Sequence, residues 1–191
     1  MAEILDIVDE NGEPTGETID RETAHNKGIR HRTAHVWIFR ESGGRVQVLL
    51  QKRADNKASY PGCYDISSAG HIPAGVDYIP SALRELKEEL GVSAKAEELI
   101  YCGIRYICSD DVFFGKEFHD RQVSKIYALW KDLDESDLVL QKEEVSGVLW
   151  IDFDKCVESV KAGSFKHCIL MEELMLLKKY LDERERRCTA T

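Results

Sequence analysis

The chain has 191 residues, 43% of them hydrophobic and 32% charged, a balance that suits a folded domain with a sizeable core. Its formal charge of −9 argues against binding nucleic acid or an anionic membrane through clustered basic residues, and no apolar run approaches the ~20 residues of a membrane span. Six scattered cysteines without a C-x-x-C pair, and no basic-then-apolar leader, place the expected location in the cytoplasm with reduced thiols of no assigned role.

Residues 3–20 read as a β-hairpin: EILDIV alternates polar with apolar, Asp9-Glu10-Asn11-Gly12 supplies the turn, and the chain returns through Gly16 to Ile19. Its edge is one on which a second copy could pair, giving a homodimer. Asp20 predicts a cap for a short helical turn over 21–25. Gly28 to Phe39 passes from a basic loop into a buried strand, and Ser42-Gly43-Gly44 turns it into a second strand over 45–51. Lys52, Arg53 and Lys57 follow. With Arg30 and Arg32 they form the densest cationic group near the site argued below, and Arg32, Lys52 and Arg53 are the candidates for contact with substrate phosphate.

Gly70 ends the turn-rich YPGCYDISSAG, where a missing Cβ lets the backbone approach a ligand or ion. The following stretch predicts a helix opened by Ile79-Pro80-Ser81 and closed by Gly91. At about 100° per residue, Ala82, Leu83, Leu86 and Leu90 share one face, and Glu85, Glu88 and Glu89 share another. Like charges at that spacing cost roughly 0.2–0.5 kcal/mol per pair, and the helix end is already negative. A hard divalent cation reverses that sign, and Arg84 stands beside the acids to hold a carboxylate.

At these residues the chain resembles the Nudix box, a glycine, five residues, a glutamate, seven residues, then R-E-U-x-E-E-x-G-U with U aliphatic. Gly70, Arg84, Glu85, Leu86, Glu88, Glu89, Gly91 and Val92 fall on the pattern, while Val76 stands in place of its first glutamate, with Asp77 beside it. The resemblance implies an α/β/α sandwich with a mixed β-sheet, here as a single domain over 1–191, with the box at 70–92. It also implies Mg²⁺, with Mn²⁺ as substitute, held by the Gly70 carbonyl, Glu85, Glu88 and Glu89. Arg84 then orients Glu85, and the proton acceptor is Glu85 itself or Glu144, in the loop before a later strand, with Glu143 next to it.

Strands are predicted over 99–108 and 123–130 around a polar loop, 109–122, suited to substrate selection by Asp110, Asp111, Glu117, His119 and Asp120. Leu138 to Ile151 ends in another strand. A short helix over 154–162 stops at Gly163, and a long helix over about 165–187 carries the stripe Ile169, Leu170, Leu174, Leu177 and Leu181 before a terminal tail.

From residue 3 to 92, through HRTAHVWIF, VLLQKRA and YPGCYDISSAGH, the chain is similar to the isopentenyl-diphosphate-isomerase-like branch of Nudix proteins. That isomerase needs a cysteine just before the Gly-His pair, where this chain has Ala69, while His31 and His71 match histidines that bind its metal. The resemblance therefore implies hydrolysis of a small-molecule diphosphate, either a nucleoside diphosphate derivative or a prenyl-type diphosphate. An isomerase-like enzyme and a noncatalytic Nudix domain that binds a nucleotide or a partner are the alternatives.

Overall fold

The computed structural model describes residues 2–189. The predicted hairpin forms from β1 (Ile4–Val8) and β2 (Pro14–Asp20), its turn held by Asp9, whose Oδ1 accepts from the amides of Asn11 at 2.8 Å and Glu13 at 2.9 Å. Asp20 then caps α1 (Arg21–Lys27) by accepting from the Thr23 amide.

The chain continues through β3 (His31–Ser42), β4 (Arg45–Arg53), β5 (Tyr64–Asp65), β6 (Ser68–His71), α2 (Tyr78–Leu90), β7 (Ile100–Phe113), β8 (Lys116–Trp130), β9 (Val145–Asp152), α3 (Phe153–Ala162) and α4 (Met171–Thr189). Seven strands make one sheet in the order β5-β4-β3-β8-β7, with β6 also on β3 and β9 also on β4. β3 runs parallel to β8 and antiparallel to β4 and β6, so the sheet is mixed. Because side chains alternate along a strand, β3 feeds two cores. Ala34, Val36 and Ile38 meet Ala82, Leu86 and Leu90 of α2, while Trp37 and Phe39 meet Phe153, Cys156 and Val160 of α3 and Leu174 and Leu177 of α4. Helices thus cover both faces of the sheet, the α/β/α sandwich that the resemblance implied.

α2 starts at Tyr78 behind an Asp77 cap, so Pro80 lies inside its first turn, and Gly91 closes it in the left-handed region at φ 72°. A Cβ at Gly91 would also come within 2.8 Å of Val139 Cβ.

Two expectations fail. Residues 109–122 are not a loop: β7 and β8 stay in register out to Phe113 opposite Lys116. Their polar residues pair across the strands instead of breaking them, with Asp110 2.7 Å from both His119 Nδ1 and Arg121 NH2. The last helix begins at Met171 and not near 165, because 165–170 stays extended to bond β5: the Tyr64 amide donates to the Lys166 carbonyl at 2.9 Å, and the Cys168 amide to the Tyr64 carbonyl at 3.0 Å. The helix then runs on to Thr189, and the predicted tail beyond it and the Cys188 side chain lie outside the described residues. Among the described residues, no helix is long and apolar enough to cross a membrane.

Candidate active site

One end of β3, β4, β7 and β8, with β6 and α2, encloses a cleft of about 640 Å³. Gly70, Arg84, Glu85, Glu88, Glu89, Arg53 and Glu144, all proposed from sequence, line it together.

Glu89 is the most deeply set acid, 6% exposed, and accepts from Ser68 Oγ at 2.7 Å. Burial pushes its carboxyl up to about 8, and Glu85 and Glu144 add to the rise. Burial likewise pushes Glu85 up to about 7, with Arg84 opposing and Glu88 assisting. Arg84 is shared: its NH2 donates to Glu85 Oε1 at 2.6 Å and its NH1 to Glu88 Oε2 at 2.8 Å. Gly70 has a use the sequence did not disclose. A Cβ there would stand 2.2 Å from Glu85 Cδ, so the bare glycine is what lets that carboxyl into the cleft.

Arg53 is committed to Asp65 at 3.1 Å and to the Ser59 carbonyl at 3.0 Å, while still lining the cleft. Glu144 forms an ion pair with Lys57, and its carbonyl accepts from the Ala54 amide at 2.9 Å, tying the loop after β4 to the turn before β9. Glu143 is exposed and outside the lining.

Arg32 and Lys52 are not brought to the cleft. Alternation on β4 turns Gln51 and Arg53 toward it and Lys52 away. Arg32 is buried with its NH2 2.8 Å from Asp6 Oδ2 and 3.0 Å from the Val76 carbonyl, so it ties the N-terminal hairpin to the loop before α2. Val76 itself is 36% exposed; besides that carbonyl, its amide donates to the Pro73 carbonyl at 3.0 Å. Glu3, ion-paired to Arg21 at 3.1 Å, lines the cleft close enough to add to the potential at Arg84 and Glu85.

A histidine missed from sequence completes a second cluster. His25 on α1 joins His31 and His71, all with a ligand nitrogen within 4.8 Å of the others, and His25 Nε2 lies 3.1 Å from His71 Nε2. Burial drives His25 down to about 3 and lowers His31 and His71 as well, so the three rings are neutral and chemically able to ligate a transition metal. Nothing in the spacing of residues 25, 31 and 71 announces the set, because the sheet assembles it. Arg105, Gln122 and Glu173 were also missed: Arg105 is a lone polar residue in an apolar pattern, Gln122 ends the polar run from His119, and Glu173 stands beside Glu172 in the first turn of α4.

The carboxylate cluster suits a hard dication. Its donors are oxygens, they converge on one cleft, and burial disfavours the ionisation of Glu85 and Glu89 until positive charge is supplied.

Comparison with known proteins bears on the same residues. The sequence model of the NUDIX domain matches residues 29–169. The chain is similar to Nudix hydrolase 3 of Arabidopsis thaliana, 40% identical over 156 residues, which are 80% of this chain and 20% of that protein, so it spans about a fifth of that relative's length. It is 38% identical over 153 residues to an uncharacterized Nudix hydrolase of Clostridium acetobutylicum, covering 80% of this chain and 71% of the other. A crystal structure from Deinococcus radiodurans shares the fold with a TM-score of 0.66 at 21% identity, covering 91% of this chain and 98% of that one.

Proposed function

This chain belongs to the NUDIX domain family, and from that premise we propose that it hydrolyses a diphosphate bond in a nucleoside diphosphate derivative or a prenyl-type diphosphate with the aid of Mg²⁺ or Mn²⁺. The gathering of Glu85, Glu88, Glu89, Gly70 and Arg84 in one cleft carries the reading. The three carboxylates and the Gly70 carbonyl would hold the ion, which when bound neutralises phosphoryl oxygens and acidifies a ligated water.

The chain's own groups supply the rest. Arg84 fixes the directions of Glu85 and Glu88, and Ser68 fixes that of Glu89. Arg53 and Lys57 place positive charge along the cleft for the phosphates. The proton lost by the attacking water passes to a carboxylate. Glu85, directed into the cleft by Arg84, would serve as that acceptor where it is not itself a ligand, while Glu144 is already paired with Lys57. Ala69 offers the cleft only a methyl group, with no proton to give, which supports hydrolysis over isomerisation.

The test is release of phosphate or monoester from a panel of nucleoside diphosphate derivatives and prenyl diphosphates with Mg²⁺. Turnover by the wild type that falls by ~100-fold or more in Glu89→Gln, at unchanged melting temperature, is the expected result. A panel left uncleaved by the wild type would instead identify a noncatalytic binding domain.

A further inference from the structure

The loop between β4 and β5, residues 54–63, crosses the cleft. Lys57, Ser59 and Tyr60 of this loop line it, as do Ile107, Phe118 and Asp120 of the β7–β8 hairpin. In the sheet, β3 and β8 lie between β4 and β7. At about 4.8 Å for each interstrand spacing, a loop that leaves β4 and reaches β7 has crossed roughly 14 Å. It passes over the end of the sheet, because β3 stops pairing with β8 at Gln122 while Asp111 pairs with Phe118 farther out. Tyr60 completes the crossing. Its hydroxyl donates to Asp111 Oδ2 at 2.7 Å, and its ring meets that of Phe113 edge-on with centroids 4.7 Å apart.

The loop is fastened differently on its two sides. At its stem the Ala54 amide donates to the Glu144 carbonyl, the Arg53 amide to the Cys63 carbonyl at 2.9 Å, and Arg53 NH2 to the Ser59 carbonyl at 3.0 Å. On the hairpin side the hold passes through the Tyr60 side chain. Asp111 also accepts from Ser109 Oγ at 3.2 Å, which aims its carboxylate at the phenol. Tyr60 itself stands at φ 50°, in the left-handed region that bulky residues rarely take. Such a conformation persists where surrounding contacts over-determine it, and here those contacts lie across the cleft.

We propose that residues 54–63 form a gate, latched to the β7–β8 hairpin by Tyr60 and Asp111, and that ligands enter and leave the cleft when this latch releases. The proposal rests on the reading that a diphosphate lies against Glu85, Glu88 and Glu89. Asp111 is outside the cleft lining, so an occupant does not compete for the latch, and the same bond is broken on entry and on exit. A hydrogen bond to a charged acceptor is strong enough to shift an opening equilibrium by about 10-fold or more. Weakening the latch therefore speeds both passages by a common factor and leaves the affinity where it was.

Tyr60→Phe, which keeps the ring and loses the hydroxyl, tests this in two measurements. Trypsin cutting after Lys57, located by mass spectrometry, follows the open population of the loop and should quicken about 10-fold. Binding kinetics with Mg²⁺ would use fluorophore-tagged, methylene-bridged analogues of a nucleoside diphosphate and of isopentenyl diphosphate. For whichever analogue the wild type binds, association and dissociation should both accelerate about 10-fold while Kd stays within ~3-fold. A loop that only braced the scaffold would be cut faster without this matched change in the two rates. Asp111→Ala removes the same bond from the other side, so it should reproduce the effect, and the double variant should add little to either single one. If one single variant misfolds, the other decides. Unchanged cutting, unchanged binding rates, or faster dissociation matched by a weaker Kd would each overturn the gate. A wild type that binds neither analogue would sink the diphosphate reading, whereas analogues that bind with unaltered rates in the variants sink the gate alone.

Discussion

One guanidinium organises the acids of the site, since Arg84 donates to Glu85 at 2.6 Å and to Glu88 at 2.8 Å. Glu85, Glu88, Glu89 and Arg84 were legible because one helix carries them, and helical spacing alone puts them together. Arg32 and Lys52 were misplaced because charge near a strand end says nothing of which face it takes or which distant acid claims it. Gly70 was read correctly as a residue that must lack a side chain, for an incomplete reason. That reason can be tested. In Gly70→Ala the new methyl would stand 2.2 Å from both Cδ and Cγ of Glu85, atoms of a flexible side chain. Glu85 should swing away at little cost, so the melting free energy should stay within ~1 kcal/mol of wild type while kcat falls ~100-fold, as expected when a catalytic group moves by about 1 Å. Thermal melts and metal-dependent turnover on the same preparation check both halves, and a variant that keeps full activity would show Glu85 to be dispensable.

Among elements, those with local punctuation were the readable ones. Asp20 opens α1, and Gly91 and Gly163 end α2 and α3, each as its chemistry predicts, while Gly28, read as the start of a loop, closes α1 two residues later than expected. The long hairpin of β7 and β8 was misread because its outer half is polar, and polarity was taken for a turn when cross-strand pairing was satisfying it. α4 was predicted too long at its start because the extended stretch before it is stabilised by β5, a partner about a hundred residues away in sequence. α4 also makes a demand no helical pattern announces, since it buries Glu173 against His35, Trp37 and Arg105. Burial alone would raise that carboxyl, yet His35 and Arg105 hold it below its ordinary value of 4.5. Glu173 therefore contributes stability that is complete above pH 4.5 and is lost as pH falls through the lowered value. Glu173→Gln leaves Arg105 buried without its counter-charge and should cost about 3 kcal/mol at neutral pH, and less in acid. Urea titrations at pH 7 and at pH 4 should show the difference between wild type and variant shrinking in acid, whereas a constant difference would mean Glu173 works by shape alone.

For the whole molecule, neither periodicity nor composition specified a mixed sheet with helices on both faces; the family resemblance did, and the parallel pairing of β3 with β8 realises it. Composition did speak to charge. The chain carries −9, and the cleft lining holds more carboxyl groups than Lys and Arg, but burial raises Glu85 to about 7 and Glu89 to about 8, so the cleft repeats the chain's sign only once both ionise. Above those values a diphosphate without a dication would approach an opposing field, and the bound ion turns that field favourable. Two salt dependences of opposite sign follow. In chelator, and at a pH above the raised values of Glu85 and Glu89, weak binding of a nucleoside diphosphate should strengthen a few-fold as the screening length shortens from about 30 Å at 0.01 M salt to about 8 Å at 0.15 M, because salt relieves repulsion. Binding of Mg²⁺ or Mn²⁺ by the protein alone should weaken over the same range, because salt screens attraction. Titrations in the two settings decide it. If nucleotide binding in chelator weakened with salt, Arg53, Lys57 and Arg105 would outweigh the acids, and the ion would be needed for chemistry but not for capture.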